Sequence, residues 1–279
     1  MQTSQIDLIP FCPEHLLGAL ALSRQAQWPH RLEDWRLVFE LSHGMAAVTD
    51  GNRLVGTILV TPYKDDCATI NMVIVDEAMR GRGLGRKLMD AALSIAGKRP
   101  LRLVATAEGL PLYQKLGFEE TATVAQHQGT VAAVAMPAGV QPATAADVSS
   151  ICELDREAFG ADRSELIAAL TKVGELAVLR ADGVVSGYAA LRTFGRGEVI
   201  GPVVAADAQK ARALTSFFMA PRRGEFLRVD TTAETGLGSW LVDQGLAHVG
   251  GGIAMRRPNI RPTENSSTKT FALANQALG

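Results

Sequence analysis

The sequence predicts a mixed α/β fold, a sheet flanked by helices, built from two tandem copies of one kind of domain. Three observations predict it. The chain has 279 residues, against roughly 100–150 for a usual domain. Strand-like and helix-like apolar periods alternate along it. Three separate features also recur at a nearly constant spacing, the signature of a repeat. The stretch 8–16 resembles 140–148, each a short apolar segment and turn opening a helix, at an offset of 132. LSHGMAAVTDGNRLVGTILV (41–60) parallels TKVGELAVLRADGVVSGYAAL (171–191): two β-rich runs joined by a turn through Asp50-Gly51-Asn52 or Asp182-Gly183, with Gly56 and Gly187 131 apart. LPLYQKLGF (110–118) parallels LGSWLVDQGL (237–246), where Tyr113 matches Trp240 and Gly117 matches Gly245 at offsets of 127 and 128.

Within the first copy the residues set out the elements in order. A strand is expected at about 5–9, helices at 14–27 and 31–42, and a hairpin with arms at 45–50 and 53–62. A strand at 67–75, a helix at 84–96, a strand at 101–106 and a short helix at 109–116 follow, and a last strand pair is placed at 118–126 and 130–136. In the helix from Leu84, apolar Leu84, Leu88, Ala91 or Ala92 and Ile95 recur at helical spacing, so one face packs on the sheet. The junction AMPAGVQPAT (135–144), rich in Ala, Gly and Pro, makes the boundary between a first domain at 1–137 and a second at 138–257. Residues 258–279 form a C-terminal tail, polar through 257–270 and apolar again in FALANQALG (271–279), which is expected to dock.

Composition excludes several classes of function. With 47% hydrophobic and 20% charged residues, the chain has the balance of a globular protein. The 28 Lys and Arg against 29 Asp and Glu leave no global field to attract nucleic acid or an anionic membrane, so any anion site must be local. The longest apolar run, 131–136, falls far short of the ~20 residues of a membrane helix. The start MQTSQIDLIP has neither the basic nor the apolar region of a secretory signal, so a cytoplasmic protein is expected. Cys12, Cys67 and Cys152 are odd in number and widely spaced, which leaves free thiols rather than a disulfide framework. The five histidines show no metal-ligand spacing and there is no G-x-S-x-G, so neither a metal site nor a serine hydrolase is expected.

The sharpest local signal is VIVDEAMRGRGLGRKLM (73–89), where a β-rich run ends, a loop with three glycines follows and an amphipathic helix begins. Glycines let the backbone take φ > 0 and approach a ligand, leaving amides aimed outward at a helix N-terminus. Arg80, Arg82, Arg86 and Lys87 cluster there. Cations at that end oppose the helix dipole unless something negative sits on the loop, and a polyphosphate would supply it. The spacing fits neither the dinucleotide fingerprint nor the Walker loop.

At these residues the sequence resembles the GCN5-related N-acetyltransferase (GNAT) superfamily, whose acetyl-CoA loop follows Arg/Gln-x-x-Gly-x-Gly/Ala; Arg80, Gly83 and Gly85 take its three defined positions. Tyr113, Leu116, Gly117 and Phe118 match the family's helix with a Tyr followed by Leu-Gly-Phe. WPHRLEDW (28–35), NMVIVDEAMRGRGLG (71–85) and ATAEGLPLYQKLGF (105–118) are similar to tandem members with a YitH-type C-terminal acetyltransferase domain. Two positions depart: Glu77 stands where Pro is frequent, and Thr106 where many members place Asn.

The resemblance implies acetyl transfer from acetyl-CoA, as cosubstrate and without a metal, to a primary amine of a small molecule. It implies that the strand at 70–75 splays from its neighbour and pairs through Val73 and Val75 with the pantetheine arm. Arg80, Gly81, Arg82, Gly83, Leu84, Gly85 and Arg86 would hold the pyrophosphate, an N–H near Met72 or Val73 would polarise the thioester carbonyl, and Tyr113 would be the general acid. Trp28, Glu33 and Asn71 are candidates for the acceptor site, with His30 and Asp34 beside them. The second copy has degenerated in the cofactor loop: GPVVAADAQKARALTSFFM (201–219) lacks about five loop residues and all loop glycines, and Trp240 replaces Tyr113. The second domain is therefore expected to bind no acetyl-CoA, to wall the acceptor site and to stabilise the first. A non-catalytic acyl-CoA sensor or scaffold, or transfer to a protein amine, are the alternatives.

Overall fold

The computed structural model describes residues 6–257 and 267–279. In the first half, β1 (Ile6–Pro10) leads into α1 (Leu16–Gln25) and α2 (Leu32–Glu40), then into β2 (His43–Thr49), β3 (Leu54–Tyr63) and β4 (Cys67–Val75). It continues with α3 (Leu84–Ala96), β5 (Leu101–Ala105), α4 (Leu110–Lys115) and β6 (Glu119–Thr130). The second half repeats the order with β7 (Val140–Pro142), α5 (Val148–Phe159), α6 (Ser164–Val173), β8 (Gly174–Ala181), β9 (Val184–Phe194) and β10 (Gly197–Ala205). α7 (Ala208–Met219), β11 (Phe226–Thr232), α8 (Gly238–Asp243) and β12 (Ala247–Arg257) follow, and the described chain closes with β13 (Lys269–Ala272). The mixed α/β class and the repeat are as expected, and 67–75 and 84–96 agree to the residue. The expected helix at 14–27 is a 3₁₀ turn, Pro13–His15, followed by α1.

The repeat has a packing reason at Gly56 and Gly187. A Cβ on Gly56 would stand 3.1 Å from Leu88 of α3, and one on Gly187 3.2 Å from Leu214 of α7, so each glycine lets the covering helix close onto its hairpin. The buried face of α3 is Leu84, Leu88, Met89, Ala92 and Ala96. β4, almost wholly apolar and buried, is covered on both faces. α3 and α4 pack on one side of the first half, and α7 and α8 on the same side of the second. The opposite side carries one continuous core shared by both halves, in which Trp35 and Leu20 of the first belong with Ile151, Leu166 and Leu170 of the second.

The strand pair expected at 118–126 and 130–136 is corrected: it is a single strand, β6, and residues 131–139 form neither helix nor strand. The partner of β6 comes from the other half. All strands but β13 follow the order β1-β2-β3-β4-β5-β12-β6-β11-β10-β9-β8-β7. β12 pairs antiparallel with β5, from Ile253↔Ala105 to Arg257↔Leu101, while β6 pairs with β11, from Phe226↔Thr130 to Thr232↔Val124. Each half is thus completed by the last strand of the other, and β6 and β12 also pair with each other at the centre. Val131 and Ala132 bond to Glu225 and Gln244 instead of forming a local hairpin. In sequence the repeat runs from β1 to β6 and again from β7 to β12, while the halves interlock in space.

Two breaks in the sheet position the site. β4 and β5 pair in parallel only at Ala68↔Leu101 and Thr69↔Arg102, beyond which they diverge. β10 and β11 pair in the same manner only at Glu198↔Leu227 and Val199↔Arg228. In the second V lies β13, antiparallel to β10 with Ala272 opposite Val203 and Thr270 opposite Val204; Leu273 N donates to Asp230 O at 2.8 Å. The apolar end of the tail docks as expected, and residues 258–266 of its polar part lie outside the described residues.

Candidate active site

The first V opens at a bulge. Between Thr57↔Ile74 and Leu59↔Asn71 the β3–β4 register shifts, and Met72 there has φ +49°. Thr57 Oγ1 donates to Met72 O at 2.7 Å and holds the distortion in place. The bulge turns the backbone of Met72 and Val73 away from a regular ladder at the mouth of the V.

Beyond β4, an eight-residue loop reaches α3. Asp76 caps its first turn by accepting from Ala78 N at 2.9 Å. Gly81 and Gly83 have φ +74° and +78°, with nothing within 4 Å of a Cβ at either. Gly83 is the N-cap of α3 and brings no side-chain acceptor to its amides, so the N-terminus is left as an open anion seat. A cavity of about 620 Å³ runs along this edge, lined in part by Val73, Val75, Arg80, Gly81, Gly83, Leu84 and Gly85. Arg82 and Arg86 stand outside its wall: both are exposed, and Arg86 pairs with Asp90 at 2.9 Å.

A second cavity of about 210 Å³ lies beneath, lined among others by Trp28, His30, Asn71, Met72, Arg228 and Gln276. The two cavities share Trp28, Val73, Thr106 and Tyr113. Tyr113 is buried, which pushes its phenol up to about 12, and its hydroxyl has no hydrogen-bond partner among the described residues. Thr106 Oγ1 accepts from Gly109 N at 3.3 Å, so the residue at the Asn position of the family serves the turn into α4.

Of the expected acceptor residues, Trp28 and Asn71 reach this cavity and Glu33 does not. Glu33 is exposed on α2, 3.9 Å from Arg36. Asn71 Nδ2 donates to Thr61 Oγ1 at 2.9 Å and to Ala277 O at 3.0 Å, which leaves its buried Oδ1 without a partner among the described residues. His30 is half-buried, and desolvation brings its imidazole down to about 4, so it is neutral at physiological pH. Its Nδ1 lies 3.1 Å from Ser23 Oγ, and that hydroxyl oxygen accepts from Trp35 Nε1 at 3.0 Å. Asp34 is committed elsewhere, accepting from Arg31 and from Gly195 N at 3.0 Å.

The second half contributes part of the wall of this cavity. The β9–β10 turn holds the connection between α1 and α2: Arg31 Nη2 donates to Thr193 O at 2.8 Å and Gly195 N to Asp34. Gln126, Arg228, Gly251, Gln276 and Ala277 also line the cavity, brought here by strand exchange and tail docking rather than by any local motif. Only Arg228 left a signal, as one of two charges, with Asp230, at alternate positions of an apolar strand. Among the described residues no group of three or more His, Cys, Asp or Glu is arranged to hold a metal, and no helix is long and apolar enough to cross a membrane.

Family profiles described as acetyltransferase (GNAT) domain match residues 42–120 and again residues 151–270. The second match takes in the start of β13. A Bacillus subtilis (strain 168) protein described as uncharacterized N-acetyltransferase YitH is 27% identical over 281 aligned residues, 98% of each chain. A crystal structure from Pyrococcus horikoshii, assigned to the acetyltransferases, superposes with a TM-score of 0.83 at 18% identity, covering 100% of this chain and 98% of its own. A tandem GNAT protein from the clavulanic acid biosynthesis pathway gives 0.63 at 16% identity, covering 92% and 100%.

Proposed function

This chain belongs to the GNAT superfamily, as two acetyltransferase domains in tandem, and from that premise we propose that it is an N-acetyltransferase that moves acetyl from acetyl-CoA to a primary amine of a small molecule in the V of its first half. The observation that carries the reading is the junction of the two cavities at Trp28, Val73, Thr106 and Tyr113. A long cleft ending on an open helix N-terminus suits a polyphosphate with an extended arm. The compact chamber beneath it suits an amine, and the two can meet only at that wall.

The residues present fit acetyl-CoA. Pyrophosphate would sit on the amides of the loop from Arg80 to Gly85, with Arg80 at the cleft wall. The pantetheine amides would pair with the free edge of β4 at Val73 and Val75, as a strand adds to a sheet. The N–H groups of Met72 and Val73 at the bulge would face the thioester oxygen and stabilise charge developing there. Asn71 Oδ1 supplies an acceptor for an amine N–H. Attack by the neutral amine forms the N–C bond and breaks the C–S bond. Tyr113, held protonated by burial, donates its proton to the departing sulfur and recovers one equal to that lost by the nitrogen. His30, neutral and weakly basic, is a hydrogen-bond partner in the chamber.

The test is release of free CoA thiol from acetyl-CoA on addition of amine mixtures, with the acetylated product identified by mass spectrometry. Amine-dependent release is expected. Tight acetyl-CoA binding with no amine-dependent release across the mixtures would instead leave the chain a non-catalytic acyl-CoA binder.

A further inference from the structure

The wall of the small chamber contributed by the second half is charged in a way that acetyl-CoA does not use. Arg228 lines the chamber; its Nε and Nη2 are turned to Asp230, with Nη2 at 2.8 Å from Oδ2, so Nη1 is the edge left for a ligand. Arg192, on the neighbouring part of the sheet, is 3% exposed. Its Nη1 stands 3.6 Å from Asp34, a carboxylate already bonded by Arg31 and Gly195 N. Its Nε and Nη2 are buried without a hydrogen-bond partner among the described residues. Both guanidinium groups lie over the ring of Phe194, at 4.8 Å for Arg192 and 5.1 Å for Arg228.

Three guanidinium groups, Arg31, Arg192 and Arg228, therefore face two carboxylates, Asp34 and Asp230. A buried cation with unmet donors is costly unless something negative completes it. Gln126 and Gln276 do not supply that charge, since they bond to one another and Gln276 Nε2 donates to Asp230. In the lining of the same chamber Asn71 Oδ1 is an unmet acceptor among the described residues. A chamber lined by an unmet acceptor and by Arg228, with the partly unpaired Arg192 beside it on the sheet, is complementary to a molecule with an amine and an anion.

We propose that the acceptor is a small amine that also carries a carboxylate, an amino acid or a close analogue, with the amine toward Asn71 and the carboxylate received by Arg228 and held by the field of Arg192. The planar guanidinium fork matches a carboxylate, and a chamber of about 210 Å³ admits a molecule of that size. The surplus positive charge also favours the unprotonated amine, the form that attacks. This deepens the acetyl-transfer reading and rests on it for the role of the bound amine, while binding itself can be read without turnover.

The experiment is calorimetric titration of the full chain, with and without CoA. The probes are the twenty protein amino acids, their carboxamides, the matching decarboxylated amines, glucosamine and 2-aminoethyl phosphate. At least one amino acid is expected to bind about tenfold or more tightly than its own amide and amine. Arg228→Gln should erase that difference while leaving the acetyl-CoA dissociation constant unchanged; Arg228→Lys, retaining the charge, should keep part of it and guards against a folding artefact. The proposal is overturned if amides, glucosamine or the aminophosphate bind as tightly as every amino acid, if no amino acid binds, or if the preference survives in Arg228→Gln. Amino-acid binding with no transfer would instead sink the acetyltransferase reading and leave the carboxylate site standing.

Discussion

The loop from β4 to α3 and the link from β10 to α7 begin from the same strand and end on the same kind of helix, and they differ in whether the helix amides are free. β4 and β10 align at an offset of 130, Cys67 with Gly197 and Val75 with Ala205. In the first half, eight residues with two left-handed glycines lead to an uncapped N-terminus. In the second, two residues suffice, and Asp207 accepts from Lys210 N at 2.8 Å, putting a carboxylate of the chain itself where a phosphate would sit. The difference continues along the strand. Pro202 stands at the place of Met72 and has no N–H to offer a carbonyl oxygen. The free edge at Val203 and Val204 is taken by β13, where Val73 and Ile74 present theirs to a cavity. In the second copy of the fold a shorter loop, a cap, a proline and a strand of its own thus take the places that face the cavity in the first, with the sheet intact.

The comparison can be broken or sharpened by substitution. The largest effect is expected at Tyr113, whose counterpart Trp240 has no hydroxyl. Tyr113→Phe should lower kcat ~10²-fold, the lower end for acid catalysis, with acetyl-CoA affinity and melting temperature nearly unchanged. In the intact protein the phenol is the active, protonated form below its raised pKa of about 12, so Tyr113 should impose no alkaline loss of kcat at pH 7–10. Full activity in the Phe variant, with chemistry shown to be rate-limiting, would make the tyrosine a packing residue.

Next comes Gly83. At φ +78° a β-branched side chain is strained by about 1–2 kcal/mol, and its Cβ would project into the open space of the anion seat. Gly83→Val should raise the acetyl-CoA dissociation constant at least about tenfold, measured by calorimetry, with the fold kept. In the second half the corresponding lesion acts on stability instead. Phe271 of β13 is buried, and Phe271→Ala should cost about 3–5 kcal/mol in chemical denaturation without creating a second acetyl-CoA site, because Asp207 and Pro202 remain. The smallest effect is expected at Asp207 itself: Asp207→Ala should remove about 1 kcal/mol of helix capping and still not confer binding.

What the sequence made legible follows the range of each signal. The loop at 80–85, the amphipathic face of α3 and the place of Tyr113 are written in neighbouring residues, and local periodicity and glycine content suffice to place them. The exchange of β6 and β12 is a choice of partner between strands more than a hundred residues apart, and an apolar run such as 131–136 looks the same whether it forms a strand or follows one. Arg228 and Gln276 reach the chamber only through that exchange and the docking of the tail, so its wall could not be assembled from the first repeat alone. Glu33 stands exposed on α2 beside Arg36, outside the chamber, since nothing in the local sequence fixes which way that side chain faces.

The central claim is that one V is open to acetyl-CoA and the other is closed by the chain itself. Titration of the full chain with acetyl-CoA, repeated on Gly83→Val, tests it most directly. The account predicts a single site per chain whose affinity falls in the variant. Two sites, or one site that the substitution leaves untouched, would contradict it.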